Sequence, residues 1–259
     1  MTGPQQSPSP VGQTIPITVP AKALRIAGIT PFTSIDFPGR LSAVVFVQGC
    51  PCRCTYCQNP WMQPREIDPQ YEAGDWSQVE RLLQKRRGLL DGIVFSGGEP
   101  TIDPALPAAI AEVKAAGFQV GLHTSGVYPE KVARLLGQLD WVGLDVKAPP
   151  LEEDLFERIT GMKRGAELFR RTFSVLKASG IEVEYRTTAH PDYLDEAALE
   201  RLAQWLASNG VERWVLQIYR RPQGLLTSLY RSVPDSWPSA AFIERQKKRF
   251  KAFLLRRAT

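Results

Sequence analysis

The chain has 259 residues, of which 43% are hydrophobic and 23% are charged, so it is long enough to bury the core of one large α/β domain or two modest ones. No apolar run approaches the ~20 residues that a membrane span needs, and the first residues lack the basic and apolar pattern of a secretory signal. The net charge of +5 belongs to residues 240–259, where seven Lys or Arg residues accompany a single acid, so it does not mark the rest of the chain as a nucleic-acid-binding protein.

The two ends of the chain differ in composition from the segment between them. Residues 1–20 contain five prolines and no charged residue, which predicts a flexible Pro-rich tail. Residues 21–235 are predicted to form the folded body. Residues 236–259 are predicted to form a basic amphipathic helix, because apolar residues such as Phe242 and Phe250 recur on one helical face. Such a helix either packs on the body or contacts a partner through its basic face.

Between the ends, short apolar runs rich in β-branched residues alternate with helical patterns. The predicted strands are residues 41–47, 92–95, 118–123, 141–146, 181–188 and 213–219. The predicted helices are residues 76–87, 104–116, 129–138, 166–179, 195–208 and 238–257. This alternation predicts parallel βαβ units with right-handed crossovers. We therefore predict an α/β fold, a partial (β/α)6 TIM-like barrel with parallel strands, whose chemistry lies at the C-terminal strand ends.

All four cysteines lie directly after the first predicted strand. A disulfide framework would spread its cysteines along the chain, so a metal or cluster site in a reducing compartment is the better interpretation. Cys50, Cys54 and Cys57 have the spacing Cys-x3-Cys-x2-Cys, which lets three thiolates bind three irons of a cubane and leave the fourth iron open. A zinc site is the alternative, although no second cysteine pair accompanies the first. Cys52 is either a free thiol beside the cluster or a fourth ligand.

This cysteine loop resembles that of the radical S-adenosylmethionine (SAM) superfamily. The resemblance implies that Cys50, Cys54 and Cys57 hold a [4Fe–4S] cluster whose open iron is chelated by S-adenosyl-L-methionine. Reduction of the cluster then cleaves SAM and yields a 5′-deoxyadenosyl radical, so that no catalytic residue is expected beyond the cluster and the cofactor. The resemblance also implies that Tyr56, which precedes the third cysteine, lies near the adenine.

The ends of the second and third predicted strands carry further candidates for cofactor binding. The second strand ends in Gly97, Gly98 and Glu99, which resemble the superfamily's Gly-Gly-Glu-Pro motif. That resemblance implies that the strand edge and the acid meet the methionyl amino group of SAM. Glycines also let a ligand approach the backbone closely. The third strand ends in Thr124 and Ser125, which are predicted to line the same site.

The fourth and fifth predicted strands add charged candidates. Asp145 and Lys147 lie on one face of a strand and form either an ordinary ion pair or part of the cofactor site. Glycyl-radical activating enzymes have a similar Asp-x-Lys, which implies that Lys147 meets the methionyl carboxylate and Asp145 helps to bind a monovalent cation. Arg186 is a further candidate for cofactor binding. His123 stands where that family usually has an acid, and because imidazole is a poorer ligand for alkali cations, the cation site is an open question.

Other segments narrow the resemblance within the superfamily. Residues 29–46, 86–92, 145–149 and 186–188 resemble the longer form of the anaerobic ribonucleoside-triphosphate reductase activating proteins. This implies a cytoplasmic enzyme that takes a hydrogen atom from a glycine of a partner, an anaerobic ribonucleotide reductase, with a flavodoxin or ferredoxin type electron donor. Two alternatives stay open. One is a radical SAM enzyme acting on a small molecule, similar to a deazapurine synthase; the other is a metal-stabilised protein that binds nucleic acid.

Overall fold

The computed structural model describes residues 19–220 and 233–257, which form one α/β architecture. Residues 1–18 of the predicted tail, 221–232 of the predicted body and the last two residues lie outside the described part of the chain. The strands are β1 (Ile26–Thr33), β2 (Ser42–Val47), β3 (Gly92–Gly97), β4 (Gln119–Thr124), β5 (Trp141–Asp145), β6 (Glu182–Ala189), β7 (Arg213–Ile218) and β8 (Ala252–Arg256). The helices are α1 (Trp76–Arg86), α2 (Leu106–Ala115), α3 (Pro129–Leu135), α4 (Glu153–Thr160), α5 (Gly165–Ser179), α6 (Glu196–Ser208) and α7 (Ala240–Arg249). Short 3-10 turns occupy Ala21–Ala23, Pro60–Met62, Pro100–Ile102 and Leu136–Gln138.

In the described residues the strands form a single eight-stranded sheet in the order β1 to β8. Strand β1 is antiparallel to β2, and every later strand is parallel to the one before it. The sheet is open, because β1 and β8 are its two edges. The predicted partial barrel with parallel strands is therefore confirmed, and the six predicted strands are β2 to β7.

The sequence patterns missed β1, α4 and β8. Strand β1 pairs with β2 through Ile29 and Val45 among others, and the structure adds it as an antiparallel edge. Helix α4 has eight residues and begins three residues after Pro150, so its apolar pattern is too short to separate from a loop. The helices α1, α2, α3, α5 and α6 begin and end within a few residues of their predicted limits.

The inside of the barrel is filled partly by the loop between β1 and β2. The ring of Phe37, which is 1% exposed, stacks on Trp141 with 5.4 Å between the ring centroids. Val44 and Val94 complete this small inner cluster. The larger apolar core lies on the other side of the sheet, under the helices. This apolar cluster therefore fills part of the inner side of the barrel and leaves the C-terminal strand ends for polar groups.

The predicted helix over 236–259 is wrong in its second half. Helix α7 ends at Arg249, since Phe250 has an extended backbone with φ −106° and ψ 145°, and the chain then forms β8. Strand β8 completes the hydrogen-bond ladder of β7, and Phe253 packs on Trp214 with 5.3 Å between ring centroids. Pairing with the edge strand β7 gains main-chain hydrogen bonds and ring packing. This gain outweighs the helix preference that the spacing of the apolar residues indicates.

The basic residues at the C-terminus are mostly engaged within the chain. Five of them form ion pairs: Arg245 and Arg249 with Glu200, Lys247 with Glu244, Lys251 with Glu212, and Arg256 with Glu184. The charge that suggested a nucleic-acid surface is therefore partly neutralised by acids of the protein itself. Among the described residues, no helix is long and apolar enough to cross a membrane.

The docking of α7 can be tested with Phe242, whose side chain is fully buried. We expect Phe242→Ala to lower the free energy of unfolding by about 3 kcal/mol, because the change removes a buried ring and leaves a cavity. Leu254→Ala serves as the control, since Leu254 is 41% exposed and its truncation should have a small effect. Urea unfolding followed by circular dichroism measures both; equal stability of the two variants would contradict the docked position of α7.

Candidate active site

The cysteine loop follows β2 and is fixed by main-chain contacts at both ends. The buried side-chain amide of Gln48 donates from Nε2 to the main-chain carbonyl oxygens of Trp61 and Pro64 at 3.0 and 2.8 Å. The main-chain N–H of Cys50 donates to the carbonyl oxygen of Gln63. Further along, Arg53 donates from its main-chain N–H to the carbonyl oxygen of Thr160 at the end of α4. These bonds hold the loop at the C-terminal end of the sheet.

The two glycines at the end of β3 allow the cysteine loop to approach the backbone. A Cβ on Gly98 would lie 2.2 Å from the carbonyl oxygen of Gly49, which is far inside contact distance. A Cβ on Gly97, where φ is +118°, would lie 2.4 Å from the main-chain nitrogen of Val47. Only glycine therefore fits at either position. The requirement for glycine comes from the packing of two strand ends as well as from any ligand.

The carboxylate of Glu99 joins β3 to the end of β4. It is fully buried and accepts hydrogen bonds at Oε1 from the side-chain hydroxyls of Thr101 and Thr124, at 2.7 and 2.9 Å. At Oε2 it accepts from the main-chain N–H and the hydroxyl of Ser125, at 2.7 and 2.5 Å. The carboxylate anchors Thr124 and Ser125, and Glu99 is not among the residues that line the cavity described below. The contact of Glu99 with the cofactor stays a prediction.

A charged cluster lies across the ends of β4, β5 and β6. Arg186 donates from Nη2 to Oδ1 of Asp145 at 2.8 Å, and Lys147 donates from Nζ to Oδ2 at 3.3 Å. Arg186 Nη1 also lies 2.8 Å from Nε2 of His123. The other ring nitrogen of His123 is 3.1 Å from the hydroxyl oxygen of Ser96. The three predicted residues of β5 and β6 are thus brought together, and His123 joins them.

The neighbouring charges set the ionisation of this cluster. Burial alone would raise the pKa of Asp145, but Arg186 and Lys147 outweigh it and lower that pKa to about 2. Burial opposes the charge of Lys147, yet Asp145 raises its pKa well above the usual range. Burial and then Arg186 hold the pKa of His123 well below its usual value. Asp145 and Lys147 are therefore charged at neutral pH, while the imidazole is neutral.

The cysteine thiols differ in their surroundings. A hydrogen bond with Cys52 lowers the pKa of Cys54 to about 6, even though burial opposes this shift. Hydrogen bonds with Cys50 and Cys54, together with burial, raise the pKa of Cys52 above the ordinary thiol range. Burial also raises the pKa of Cys57. The contact with Cys52 thus favours the thiolate form of Cys54, and the thiolate is the form that binds iron.

The predicted residues converge on one cavity of about 170 Å³ at the C-terminal ends of the strands. Of the predicted metal and cofactor residues, all but Glu99 line it: Cys50, Cys54, Tyr56, Cys57, Gly97, Gly98, Thr124, Ser125, Asp145, Lys147 and Arg186. Cys52 lines it as well, although Cys52 itself is only 1% exposed.

The cavity fits the cluster and cofactor that the sequence implies. Its cysteines form no disulfide, and the edge of β3 offers backbone without side chains at Gly97 and Gly98. The buried hydroxyl of Tyr56 has no hydrogen-bond partner among residues 19–220 and 233–257. In the same residues, no three His, Cys, Asp or Glu side chains converge as around a single metal ion. A cubane does not require such convergence, because each thiolate binds its own iron.

Several residues of the cavity were not among the predicted site residues. Ser96 and Thr188 lie at strand ends, and Gln58, Asn59 and Gln63 lie beside or just beyond the cysteine loop. Their positions next to the predicted motifs were the available signal. The contact of the Asp36 carbonyl oxygen with His123 Nε2, at 3.0 Å, has no such signal, because it joins positions 87 residues apart.

Comparison with known proteins identifies the family. The radical SAM superfamily profile matches residues 44–206, which is more than half of the chain. A protein of Methanocaldococcus jannaschii assigned as a glycyl-radical enzyme activating enzyme is 32% identical over 191 residues, which cover 71% of this chain and 75% of that protein. The pyruvate formate-lyase-activating enzyme of Streptococcus mutans is 34% identical over 140 residues, which cover 50% of this chain and 52% of that enzyme.

Solved structures agree on the fold. Streptococcus suis SuiB bound to its precursor peptide SuiA has a TM-score of 0.62 and 15% identity over 82% of this chain. The chain spans about half the length of SuiB, since the match covers 48% of it, so this likeness concerns the fold alone. Together with the cavity and its cysteines, the profile and the relatives establish that the chain belongs to the radical SAM superfamily and, within it, to the glycyl-radical enzyme activating enzymes, whose cofactors are a [4Fe–4S] cluster and SAM.

Proposed function

We propose that this protein installs a glycyl radical in a partner enzyme, and that the partner is an anaerobic ribonucleotide reductase. One observation carries the proposal: the three proposed cysteine ligands, a side-chain-free strand edge and the charged cluster of Asp145, Lys147 and Arg186 line the same cavity. The reductase as partner is supported by the resemblance of residues 86–92, 145–149 and 186–188 to the activating proteins of that enzyme.

The residues of the cavity have distinct proposed roles. Cys50, Cys54 and Cys57 bind the cluster, and Gly97 and Gly98 present main-chain atoms to the methionyl amino group. When bound, the reduced cluster supplies an electron that cleaves SAM to the radical that removes a hydrogen atom from glycine.

The charged side of the cavity holds the other end of the cofactor. Lys147 binds the methionyl carboxylate, since its side chain is 16% exposed and its ammonium group is held by Asp145. Tyr56 covers the adenine side of the cavity with its ring and main chain. Thr124 and Ser125, held by Glu99, keep the end of β4 against the cavity and help to exclude water. Arg186 keeps Asp145 ionised and in place.

A second partner is favoured by the relatives. The Streptococcus mutans relative acts, by its name, on pyruvate formate-lyase, and further activating enzymes of that name match this chain, including one of Clostridium pasteurianum. A pyruvate formate-lyase type enzyme is therefore the alternative partner for this protein. Both partners present a glycine to the radical, so only the recognised protein differs.

The proposed cellular setting follows from the cysteines. The four thiols form no disulfide, and iron–sulfur ligation requires them reduced, which suits the cytoplasm. A flavodoxin or ferredoxin type protein is the proposed electron donor.

The partner can be identified by electron paramagnetic resonance. The reconstituted protein, SAM and a chemical reductant are mixed anaerobically with a purified anaerobic ribonucleotide reductase or with a pyruvate formate-lyase. We expect a glycyl-radical doublet with the reductase that depends on SAM and on this protein. A doublet only with pyruvate formate-lyase would assign that enzyme as the partner, and a doublet with neither would contradict both assignments.

The close approach at the end of β3 predicts that a single methyl group damages the cluster site. One cubane requires about four irons per chain. We expect a much lower iron content in Gly98→Ala, because the new Cβ would collide with the Gly49 carbonyl oxygen. Gly137→Ala is the matched control, since nothing lies within 4 Å of its Cβ position. Iron and sulfide assays after anaerobic reconstitution measure both. Full iron content in Gly98→Ala would contradict this packing argument.

The cysteines are expected to divide into three ligands and one additional thiol. Cys54→Ser should abolish release of 5′-deoxyadenosine from SAM, because one iron loses its thiolate. Cys52→Ser should retain most of that release, since the cluster keeps three ligands. Chromatographic assay of 5′-deoxyadenosine under dithionite measures the difference. Equal loss of activity in the two variants would show that Cys52 is also a ligand.

A further inference from the structure

The half-buried carboxylate of Asp145 has its counter-charges supplied by the chain itself. Its Oδ1 accepts hydrogen bonds from Nε and Nη2 of Arg186 at 3.2 and 2.8 Å, and its Oδ2 accepts from Lys147 at 3.3 Å. Both oxygens are therefore already faced by a cation. The side chains of Arg186 and Lys147 are only 10% and 16% exposed, which limits their exchange with solvent ions.

His123 fixes the arginine from the other side. Arg186 Nη1 lies 2.8 Å from Nε2 of the ring, and because a guanidinium can only donate, this contact requires a lone pair on Nε2. Nδ1–H then donates to the hydroxyl oxygen of Ser96 at 3.1 Å. The Asp36 carbonyl oxygen also lies 3.0 Å from Nε2, and a hydrogen bond there would need the opposite tautomer, with the proton on Nε2. The imidazole is neutral in either tautomer. His123 therefore adds no charge to the cluster.

We propose that the guanidinium of Arg186 takes the place of an inorganic monovalent cation beside Asp145. Arg186 is then a positioning residue that lets the protein bind SAM without such an ion. The inference rests on the proposed binding of SAM in this cavity. With Asp145 negative, Arg186 and Lys147 positive and His123 neutral, the cluster carries one positive charge in excess. An added sodium or potassium ion would be repelled by this positive charge. It would also lack a free oxygen ligand on Asp145, because both carboxylate oxygens already have a cationic partner. The surplus charge instead faces the cavity, where it suits an anionic group of the ligand.

Removal of Arg186 should create the cation requirement that the wild-type protein lacks. Arg186→Gln leaves Asp145 with Lys147 alone, so an added ion gains a vacant carboxylate oxygen. The dissociation constant of SAM is measured on the cluster-loaded protein by equilibrium dialysis in potassium, sodium or tetramethylammonium chloride of equal ionic strength. The shift of the reduced-cluster paramagnetic signal on SAM addition gives a second readout.

We expect the wild-type constant to agree within about twofold in the three salts. In tetramethylammonium chloride, Arg186→Gln should bind SAM about tenfold more weakly or worse, because the carboxylate of Asp145 loses one of its two cationic partners. Potassium or sodium should restore much of the loss. Arg256→Gln is the matched control, because Arg256 also pairs with a buried acid of the barrel, Glu184 at 3.2 Å, but does not line the cavity. It should respond to salt like the wild type.

Two results would overturn the inference while leaving the proposed function intact. The first is tighter SAM binding by the wild-type protein in sodium or potassium than in tetramethylammonium chloride; this result needs no variant to fold. The second is an equal loss of binding by Arg186→Gln in all three salts, which would give Arg186 a purely structural role. Absence of SAM binding by the wild type in every salt would overturn the cofactor assignment, and the inference with it.

Discussion

The geometry of the active site depends on how the fully buried carboxylate of Glu99 is satisfied. Its two oxygens accept hydrogen bonds from Thr101, Thr124 and Ser125, while its own main-chain N–H donates to the carbonyl oxygen of Gly49. One residue thus ties the ends of β3 and β4 to the cysteine loop. An ionised carboxylate without such donors would be very costly to bury, so the three segments are forced into one arrangement.

Asp145 is a second, half-buried carboxylate of the barrel, and its surroundings differ from those of Glu99. Glu99 accepts hydrogen bonds from neutral donors and does not line the cavity, whereas Asp145 is paired with two cations and its side chain is 34% exposed. The residues that line the cavity therefore include glycine backbone and neutral hydroxyl groups as well as a charged cluster with surplus positive charge. This difference supports the proposed orientation of SAM, with its carboxylate group towards Lys147.

Most of the fold could be predicted from the sequence because its signals are local. The apolar runs that became β2 to β7 are continuous, as expected for strands buried on both faces, and the cysteine spacing and the two glycines follow directly on strand ends. The second half of the C-terminal helix was wrong because pairing with β7 is a tertiary effect. The burial of Glu99 and its hydrogen bonds to β4 were unpredictable for the same reason: the motif identifies the acid, but its partners lie 25 and 26 residues further along the chain.

The contacts that fix the cysteine loop leave the proposed ligands available. The loop is held by the main chain of Cys50, Arg53 and Thr55, and by the guanidinium of Arg53, which donates to the carbonyl oxygens of Cys50 and Cys52 at 2.7 and 2.9 Å. None of these anchoring bonds uses a thiol. The main chain of the loop is therefore held by bonds that do not compete with the proposed cluster ligands. The same logic applies at β3, where two glycines fix the strand edge without any side chain that a cofactor would have to displace.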